Sequence, residues 1–506
     1  MEELRDKIFS FLNKKRKTPN SILKIKNKVF NYLSEQKKLF KVINEKDEEI
    51  PYITLNSGES VILDGCIPEV QSLFACDLGI DIQQSKFAKE ILNYIKFKTI
   101  NESPLKHLEK FSVVKNSKLY VSCGKKYIIT TVDNKIKKVL NGFEDVYFDS
   151  NFCFSEWEPD FYEEVNAFPT LFDVKAFDIN TSIPDGVNVY TREMQLEVLT
   201  SWLIAAILKI KPLPILLFYG NKSSGKTLTS KAVMKLFMGE TSNVSIFPDN
   251  KRSLLSCITS HAIYTIDNLD SKVPSWFHDT LTLVSTGGEL SERALFSNAA
   301  TFKKEIVSSV IITSRNGNFA QREDIKDRIL PVFFESRSDY SISEDNLIDE
   351  VVQNRNRLMT MLFLEGKEFV SKIDSDNFKE NYRFSKFGKL LKHRIEKNNY
   401  PFGIKELIKS IVNSQFESLT DIDPFIQMIL QFDFKTNQVN KLSGTPVELI
   451  KILESSNPNF INNLKPRVIS RKIKENINVF ELNNWVVNSE KYGNSTKFTF
   501  IPPSYK

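Results

Sequence analysis

The stretch PILLFYGNKSSGKT, residues 214 to 227, limits the possible folds more than any other part of the chain. The apolar run from Pro214 to Tyr219 leads directly into a full match to the pattern GxxxxGK[ST], and a helix-forming segment follows. This order of strand, glycine-rich loop and helix predicts a parallel α/β core with a phosphate-binding loop. A chance Gly/Ser loop would lack the strand and the helix on the correct sides.

Backbone N–H groups of this loop and the start of the following helix are expected to face phosphate oxygens. Lys226 is expected to reach the β- and γ-phosphates, and Thr227 is expected to ligate magnesium. The sequence therefore predicts ATP and Mg²⁺ as cofactors. The predicted nucleotide-binding residues are Gly220, Asn221, Lys222, Ser223, Ser224, Gly225, Lys226 and Thr227.

Two later apolar runs predict neighbouring strands that end in polar residues. The run HAIYTI, 261 to 266, delivers Asp267 at its carboxyl end, where the carboxylate can hold Mg²⁺ through water. The run SVIIT, 309 to 313, continues into Ser-Arg-Asn, so that Thr313 and Asn316 are both candidates for a catalytic role. Arg328 directly precedes a further strand-like run, ILPVFF, and its local acids are Asp324 and Asp327.

Length and charge predict several domains and a polyanionic partner. A chain of 506 residues is too long for one core, so two to four domains are expected. Residues 1 to 46 hold 13 Lys and Arg against 5 Asp and Glu, and residues 441 to 506 hold 10 against 5. Two basic ends around an acidic middle indicate nucleic acid, although solvated helix faces would give the same counts.

Five scattered cysteines without a CxxC pair argue against a zinc ribbon or a secreted disulfide framework, and they favour the cytoplasm. The longest apolar runs fall far short of the roughly 18 residues that a bilayer span needs, so no membrane is expected.

The chain divides into five predicted regions of α/β type. A basic, helical and mixed region is followed by a β-rich region with a linker, the α/β core, a helical lid or connector, and a compact C-terminal domain. Their predicted bounds are 1–110, 111–189, 190–340, 341–440 and 441–506.

Three segments resemble AAA+ ring helicases of the primase-helicase and MCM-like kind that phages and mobile elements carry. They are IDNLDSKVPSWFHDTL (266 to 281), STGGELSERALFSN (285 to 298) and VIITSRNGNFAQREDIKDRILPVFF (310 to 334). The resemblance spans roughly residues 190 to 335. Within this group of proteins, the sequence is similar to the self-loading replication helicases of staphylococcal pathogenicity islands and cassette elements.

This resemblance implies roles for residues that the pattern alone leaves open. Thr313 or Asn316 would sense the γ-phosphate and position water, and Arg328 would reach the γ-phosphate of a neighbouring subunit. Arg328 could also be a surface arginine paired with Asp324 or Asp327. Asn268 stands where many such ATPases have a glutamate, so the water-activating acid must come from elsewhere; Asp270 and Glu289 are the best candidates.

The resemblance also implies DNA contacts. Two short strands, 294 to 298 and 301 to 306, would form a hairpin that grips the DNA backbone in a ring channel, with Lys303 and Lys304 beside its turn; an ordinary surface hairpin is the alternative. Residues 444 to 503 parse as a winged helix, which could instead contact protein. Its expected duplex-binding residues are Lys465, Arg467, Arg471, Lys472, Lys474, Lys491 and Lys497.

Together these features predict an ATP-driven DNA helicase that initiates replication of a mobile element. The implied assembly is a homo-oligomer, expected to be a hexamer, with single-stranded DNA in its channel and duplex or origin DNA on its C-terminal domain. The alternative from another class is a non-translocating AAA+ origin binder, loader or regulatory ATPase.

Overall fold

The structure is a computed structural model of a mixed α/β chain. It describes residues 2–12, 18–36, 38–83, 85–160, 174–177, 190–270, 273–293, 301–315, 318–320, 322–335, 343–373, 378–419, 424–430, 432, 434, 439–456, 465–475, 477, 480, 485–493 and 495–503. No helix in these described ranges is both long enough and apolar enough to cross a membrane.

The N-terminal unit packs helices on a small antiparallel sheet in the order β1-β2-β3. Its elements are α1 (Glu2–Leu12), α2 (Pro19–Glu35), β1 (Leu39–Ile43), β2 (Glu49–Thr54), β3 (Ser60–Ile62), α3 (Pro68–Ser72), a π-helical turn (Leu73–Asp77) and α4 (Lys86–Glu102). The sequence predicts only helices up to residue 46. The strand β1 corrects this, because Leu39 and Phe40 are buried and the strand pairs with β2.

The β-rich region predicted between residues 118 and 148 is present. Its elements are β4 (Leu108–Glu109), β5 (Ser112–Lys115), β6 (Lys118–Cys123), β7 (Tyr127–Val132), β8 (Lys135–Leu140), a 3₁₀ turn (Phe143–Asp145) and β9 (Tyr147–Phe148). Strands β5 to β8 form an antiparallel meander. Of the predicted linker from 157 to 189, residues 161–173 and 178–189 lie outside the described part of the chain, and Lys175–Phe177 forms a short 3₁₀ turn.

The central region holds a four-stranded parallel sheet in the order β11-β14-β10-β15. Its elements are α5 (Arg192–Ile207), β10 (Ile215–Gly220), α6 (Lys226–Met238), α7 (Lys251–Ser260), β11 (Ile263–Ile266), α8 (Ser275–Thr286), β12 (Glu289–Arg293), β13 (Thr301–Glu305), β14 (Ser309–Ser314), a 3₁₀ turn (Asn318–Ala320), α9 (Glu323–Lys326) and β15 (Ile329–Phe334). The predicted cap is present, since the Thr191 hydroxyl accepts a hydrogen bond from the Met194 N–H at the start of α5.

Both faces of this sheet are buried, which explains why its strands read as continuous apolar runs. Along β10, Leu216 and Phe218 pack into one hydrophobic cluster, whereas Ile215 and Leu217 pack into a second cluster on the opposite face. Successive side chains of a strand point to opposite faces, so a strand covered on both sides has no polar face. The sheet therefore holds the loop after β10 on a rigid, fully covered base.

The structure describes part of the predicted hairpin and adds a strand, Glu289–Arg293, that the sequence analysis does not predict. β12 (Glu289–Arg293) pairs antiparallel with β13, and Arg293 lies opposite Thr301. The predicted first strand, residues 294 to 298, lies outside the described residues.

Helices follow the sheet as predicted, and a compact unit ends the chain. These elements are α10 (Glu344–Gln353), α11 (Arg355–Lys372), α12 (Ser385–Asn398), α13 (Ile404–Leu419), α14 (Pro424–Leu430), β16 (Leu442–Gly444), α15 (Pro446–Ser456), α16 (Pro466–Glu475), β17 (Val486–Tyr492) and β18 (Ser495–Ile501). Phe425, Ile426 and Ile429 of α14 share one core with residues of α15, α16 and the sheet β16-β18-β17. This core therefore reaches upstream of residue 441.

A buried ion pair joins α5 to the helices behind it. Glu197 of α5 is fully buried, and its carboxylate accepts two hydrogen bonds from the Arg394 guanidinium of α12, at 2.5 and 3.0 Å. Arg394 also donates to Glu365 of α11 at 2.6 Å, and the Ser201 hydroxyl donates to Glu197 at 2.8 Å. Removing one partner would leave a charge buried without compensation.

We expect Arg394→Met to lower the free energy of unfolding by about 3 to 5 kcal/mol, because the buried Glu197 carboxylate would lose its cationic partner. The matched control is Lys392→Met on the same helix. Lys392 lies 3.6 Å from the exposed Glu396, and its loss should change stability by less than about 1 kcal/mol. Urea unfolding followed by circular dichroism measures both variants, and equal small effects would contradict a stabilising role for the buried pair.

Candidate nucleotide site

The loop after β10 requires glycine at its first position because the neighbouring strand approaches so closely. Gly220 has a φ of 141°, in the region that favours glycine, and a Cβ atom there would lie 1.9 Å from the carbonyl oxygen of Phe334 in β15. Ser223 and Gly225 also have positive φ values, 61° and 93°. These positions curl the chain from the end of β10 into the first turn of α6.

Lys226 folds back onto this loop. It is 6% exposed, and its Nζ donates to the carbonyl oxygens of Gly220 (2.9 Å) and Asn221 (2.6 Å) and to Ser224 Oγ (3.0 Å). All three ammonium protons therefore have acceptors inside the loop. Burial lowers the pKa of Lys226. A phosphate group would supply the negative charge that the loop's neutral acceptors lack.

Two hydroxyls converge on one carboxylate oxygen beside the loop. Thr227 Oγ1 donates to Asp267 Oδ1 at 2.8 Å, and Thr313 Oγ1 donates to the same oxygen at 2.6 Å. Thr227 lies in the first turn of α6, Asp267 follows β11, and Thr313 lies in β14, so three separate elements meet here. The sequence expectation that Thr227 and Asp267 cooperate is consistent with this geometry.

The donor set at this point suits magnesium. A hydroxyl and a carboxylate are the hard oxygen ligands that Mg²⁺ takes, and it completes its octahedron with water and substrate phosphate oxygens. Thr227 and Asp267 would hold the ion, which would supply positive charge against the phosphate oxygens. The described residues contain no group of three or more His, Cys, Asp or Glu side chains that could hold a metal without a phosphate.

Asn268 supports Asp267 from a strained backbone position. Its φ is 55°, its Nδ2 donates to Asp267 Oδ2 at 3.0 Å, and its backbone N–H donates to Thr313 Oγ1 at 2.8 Å. Asparagine is one of the few residues other than glycine that adopts this conformation readily. The Asn268 side chain therefore orients Asp267, and its neutral amide cannot act as a general base that takes a proton from water.

The candidate acids of the sequence stand in different places. Asp270 lies near the loop, but both of its carboxylate oxygens accept hydrogen bonds from Arg315. Glu289 begins β12, which directly follows the end of α8. That end of α8 lies beside the amino end of β10, because the Ser285 carbonyl accepts a hydrogen bond from the Leu213 N–H. Glu289 is thus placed at the edge of the sheet opposite the loop.

Arg328 is held inside the chain. It is 7% exposed, its Nη1 donates to the Asp324 carbonyl and lies 3.3 Å from Asp327 Oδ1, and Asp327 also binds Arg383. Burial lowers the pKa of Arg328, and the nearby Arg383 acts in the same direction. This arrangement agrees with the alternative hypothesis that Arg328 pairs with a local acid, here Asp327, but Arg328 is buried and does not lie on the surface. In the isolated chain it offers no exposed guanidinium to a neighbour.

Of the two candidates for sensing the γ-phosphate, the structure describes only Thr313. Asn316 lies outside the described residues. The sequence analysis does not name Arg315 as a candidate for a catalytic role, although Arg315 lies between Thr313 and Asn316. A signal was present, since an arginine directly after a buried strand of a parallel sheet lies at the edge where ligands bind.

The predicted DNA-binding residues of the C-terminal unit lie on its outer surface. Ile469 and Ile473 of α16 are fully buried, so this helix turns one face to the core and another to solvent. Lys465, Arg467, Arg471, Lys474 and Lys491 are exposed, and Lys472 and Lys497 are half-buried. Lys497 lies 4.0 Å from Glu490 across the β17-β18 hairpin. A basic helix beside a two-stranded hairpin suits duplex DNA.

The hairpin of β12 and β13 contacts the N-terminal unit. Lys304 lies 3.6 Å from Glu45 in the turn between β1 and β2, and both side chains are half exposed. The side chain of Lys303 lies outside the described part of the structure. An exposed carboxylate at this distance is a weak partner, so Lys304 remains available to a phosphate group.

Comparison with known proteins gives a limited match. Residues 186–387, less than half of the chain, match the family model described as actinomycete integrative conjugative element replication protein. No protein of curated function matches.

Among solved structures, the chain is similar to three apo structures of the NrS-1 C-terminal region. The TM-scores are 0.43, 0.42 and 0.39 at 13%, 13% and 12% identity, and the alignments cover 94% of this chain in each case and 98%, 99% and 98% of those chains. The family match over residues 186–387 makes the central region similar to a replication protein of a mobile element.

The glycine at the start of the loop yields a stability prediction. Gly220→Ala should lower the free energy of unfolding by about 3 kcal/mol or more, because a Cβ cannot fit against the Phe334 carbonyl and φ is positive. The control is Gly403→Ala, where no atom lies within 4 Å and the expected loss is below about 1 kcal/mol. Differential scanning fluorimetry compares the two, and equal melting temperatures would contradict the close approach of β15.

Proposed function

We propose that this chain is an ATP-driven DNA helicase that serves replication of a mobile genetic element. The observation that carries the proposal is the convergence of Thr227 and Thr313 on Asp267 beside the loop that holds Lys226. This constellation supplies a cation for the phosphates and oxygen ligands for Mg²⁺ at one edge of a parallel sheet. Water attacks the γ-phosphorus, the bond from that phosphorus to the β–γ bridging oxygen breaks with its electron pair on ADP, and the proton that the water loses passes to the inorganic phosphate or to solvent.

Three observations support the DNA and replication parts of the proposal. Basic residues of α16 and of the β17-β18 hairpin are exposed on the C-terminal unit, in the order of elements expected for a winged helix. A second hairpin, β12-β13, presents Lys304 near the central sheet. The central region also matches a family model of mobile-element replication proteins. A hexameric ring with Arg328 acting between subunits stays a prediction from the AAA+ resemblance.

The first test separates the metal-binding aspartate from its neighbour. Asp267→Ala should reduce ATP hydrolysis roughly a hundredfold or more, because the metal loses its protein carboxylate. Asn268→Gly keeps the positive φ and removes one hydrogen bond to Asp267, so hydrolysis should stay within about fivefold of wild type. Phosphate release assays measure both. Equal losses in the two variants would show that Asn268 itself takes part in catalysis.

The second test addresses DNA binding at the C-terminal unit. A truncation at residue 441 would cut through the core shared with α14, so substitutions are preferable. We would replace three exposed residues of this unit by alanine: Lys465, Arg467 and Lys474. The slope of log K for duplex binding against the logarithm of the salt concentration should become shallower by up to about 3. The matched control replaces three exposed lysines of the N-terminal unit, Lys24, Lys28 and Lys86. A loss of duplex affinity confined to the control would move the duplex-binding surface to the N-terminal unit.

The third test distinguishes a helicase from a non-translocating ATPase. With ATP, wild-type protein should displace one strand of a forked duplex, and Lys226→Ala should not, because its phosphate site loses the ammonium group. A labelled strand resolved by native gel gives the measurement. If ATP hydrolysis and duplex binding were present without strand displacement, the chain would be a switch or loader rather than a helicase.

A further inference from the structure

Arg315 and Asp270 form a connected pair at the edge of the sheet that carries the nucleotide loop. Arg315 Nε donates to Asp270 Oδ2 at 2.5 Å, and the Arg315 backbone N–H donates to Asp270 Oδ1 at 2.6 Å. The Ser314 hydroxyl lies 3.1 Å from the same Oδ1. Two residues that are 45 positions apart in the sequence are thereby fixed to each other by backbone and side chain.

The strand register places this pair level with the phosphate loop. In the parallel pairing of β10 and β14, Tyr219 lies opposite Ser314, so Arg315 follows at the level of Gly220. Arg315 also lies close enough to influence the Lys226 ammonium. Burial is the largest cause that lowers the pKa of Lys226, and the positive charge of Arg315 lowers it further, whereas Asp270 and Asp267 raise it. A triphosphate bound in the loop would end near this arginine.

Among the described residues, the Arg315 guanidinium has a partner at one nitrogen. In the described part of the chain, Nε of Arg315 has its partner in Asp270, and no hydrogen bond involves Nη1 or Nη2. The side chain is 62% exposed, so the two terminal nitrogens face solvent. Such a planar fork matches the oxygens of a phosphate group, and its anchored end reduces the conformational freedom that binding would cost.

Asp270 is poorly placed to activate water itself. Burial raises the pKa of Asp270, but hydrogen bonds from Arg315 and Ser314 outweigh burial and lower it overall. Each carboxylate oxygen already accepts a hydrogen bond from Arg315, and these bonds make Asp270 a weaker base toward a water molecule. The carboxylate is instead arranged to hold Arg315 in one orientation.

We propose that Arg315 binds the γ-phosphate of ATP within its own chain and that Asp270 is the residue that positions it. The proposal rests on the proposed nucleotide site and deepens it, since it names the group that distinguishes ATP from ADP. ADP lacks the γ-phosphate, so Arg315 should contribute to the affinity for ATP and little to the affinity for ADP.

The test measures binding of ADP and of a non-hydrolysable ATP analogue, each with Mg²⁺, to the full chain by isothermal titration calorimetry. Arg315→Gln should weaken analogue binding about tenfold to a hundredfold, the range for hydrogen bonds to a charged group, and change ADP binding by less than about threefold. The control Lys137→Gln removes an exposed ion pair with Asp133, outside the central sheet, and should change neither affinity.

A double-mutant cycle tests the positioning role of Asp270. Asp270→Asn should weaken analogue binding in the same direction as Arg315→Gln, and adding it to Arg315→Gln should cost little more, because the orienting bond is already lost. Circular dichroism is expected to show an unchanged fold for both, since Arg315 is exposed and asparagine matches aspartate in size.

Three results would overturn the assignment in distinguishable ways. Equal weakening of ADP and analogue binding by Arg315→Gln would show that Arg315 does not contact the γ-phosphate. Loss of hydrolysis with intact analogue binding in Asp270→Asn, persisting in the Arg315→Gln background, would make Asp270 the water-activating acid. Failure of the wild-type chain to bind either nucleotide would instead remove the proposed function on which the inference rests.

Discussion

One carboxylate oxygen, Asp267 Oδ1, connects the three parts of the chain that the candidate site needs. It accepts the hydroxyls of Thr227 and Thr313, and so links the helix after the phosphate loop to two strands of the sheet. Two further hydrogen bonds hold Asp267 in place. Its backbone N–H donates to the Ser245 carbonyl, and its other carboxylate oxygen accepts from the Asn268 side chain. In a parallel sheet the carboxyl ends of the strands share one edge, so a single acceptor can gather groups that are far apart in sequence.

The loop around Lys226 shows how such a site is stable before a nucleotide is bound. The lysine satisfies its three donors with loop oxygens, and this avoids the cost of burying an unpaired ammonium group. Phosphate oxygens carry charge and make stronger hydrogen bonds than carbonyl groups, so the phosphate binding that we propose would exchange weak acceptors for strong ones. The strained glycine at the head of the loop keeps the backbone close to β15 whichever set of acceptors is used.

The helices behind the sheet are tied to it by polar contacts as well as by apolar packing. Besides the buried pair of Glu197 and Arg394, Gln415 of α13 donates to the Ile329 carbonyl of β15, and Tyr219 of β10 lies 3.2 Å from the Ser414 hydroxyl. These contacts connect α13 to two strands of the sheet, one of which runs into the loop.

Local patterns predicted the parts of this protein that depend on near neighbours in sequence. The strand before the loop, the Thr191 cap, the strands between 118 and 148 and the helix near Lys86 all follow from apolar periodicity, caps and turn residues, and all are present. The strand at Leu39 was missed because LFKVI, five residues with a central lysine in a basic, helix-rich segment, has no local signal that separates strand from helix. The strand β12 (Glu289–Arg293) was missed because its charged residues break the apolar pattern that marks a strand.

Only the tertiary structure decided which side chains meet. The sequence placed Thr227, Asp267 and Thr313 at strand or helix ends, but the register between β10, β11 and β14 determined that two hydroxyls share one oxygen. The same register paired Asp270 with Arg315, and the fold buried Arg328 against the Asp324 carbonyl of α9. Local propensity extends over a few residues, whereas these contacts join elements that lie tens of residues apart. They are therefore set by how the sheet assembles, and no single segment of the sequence contains them.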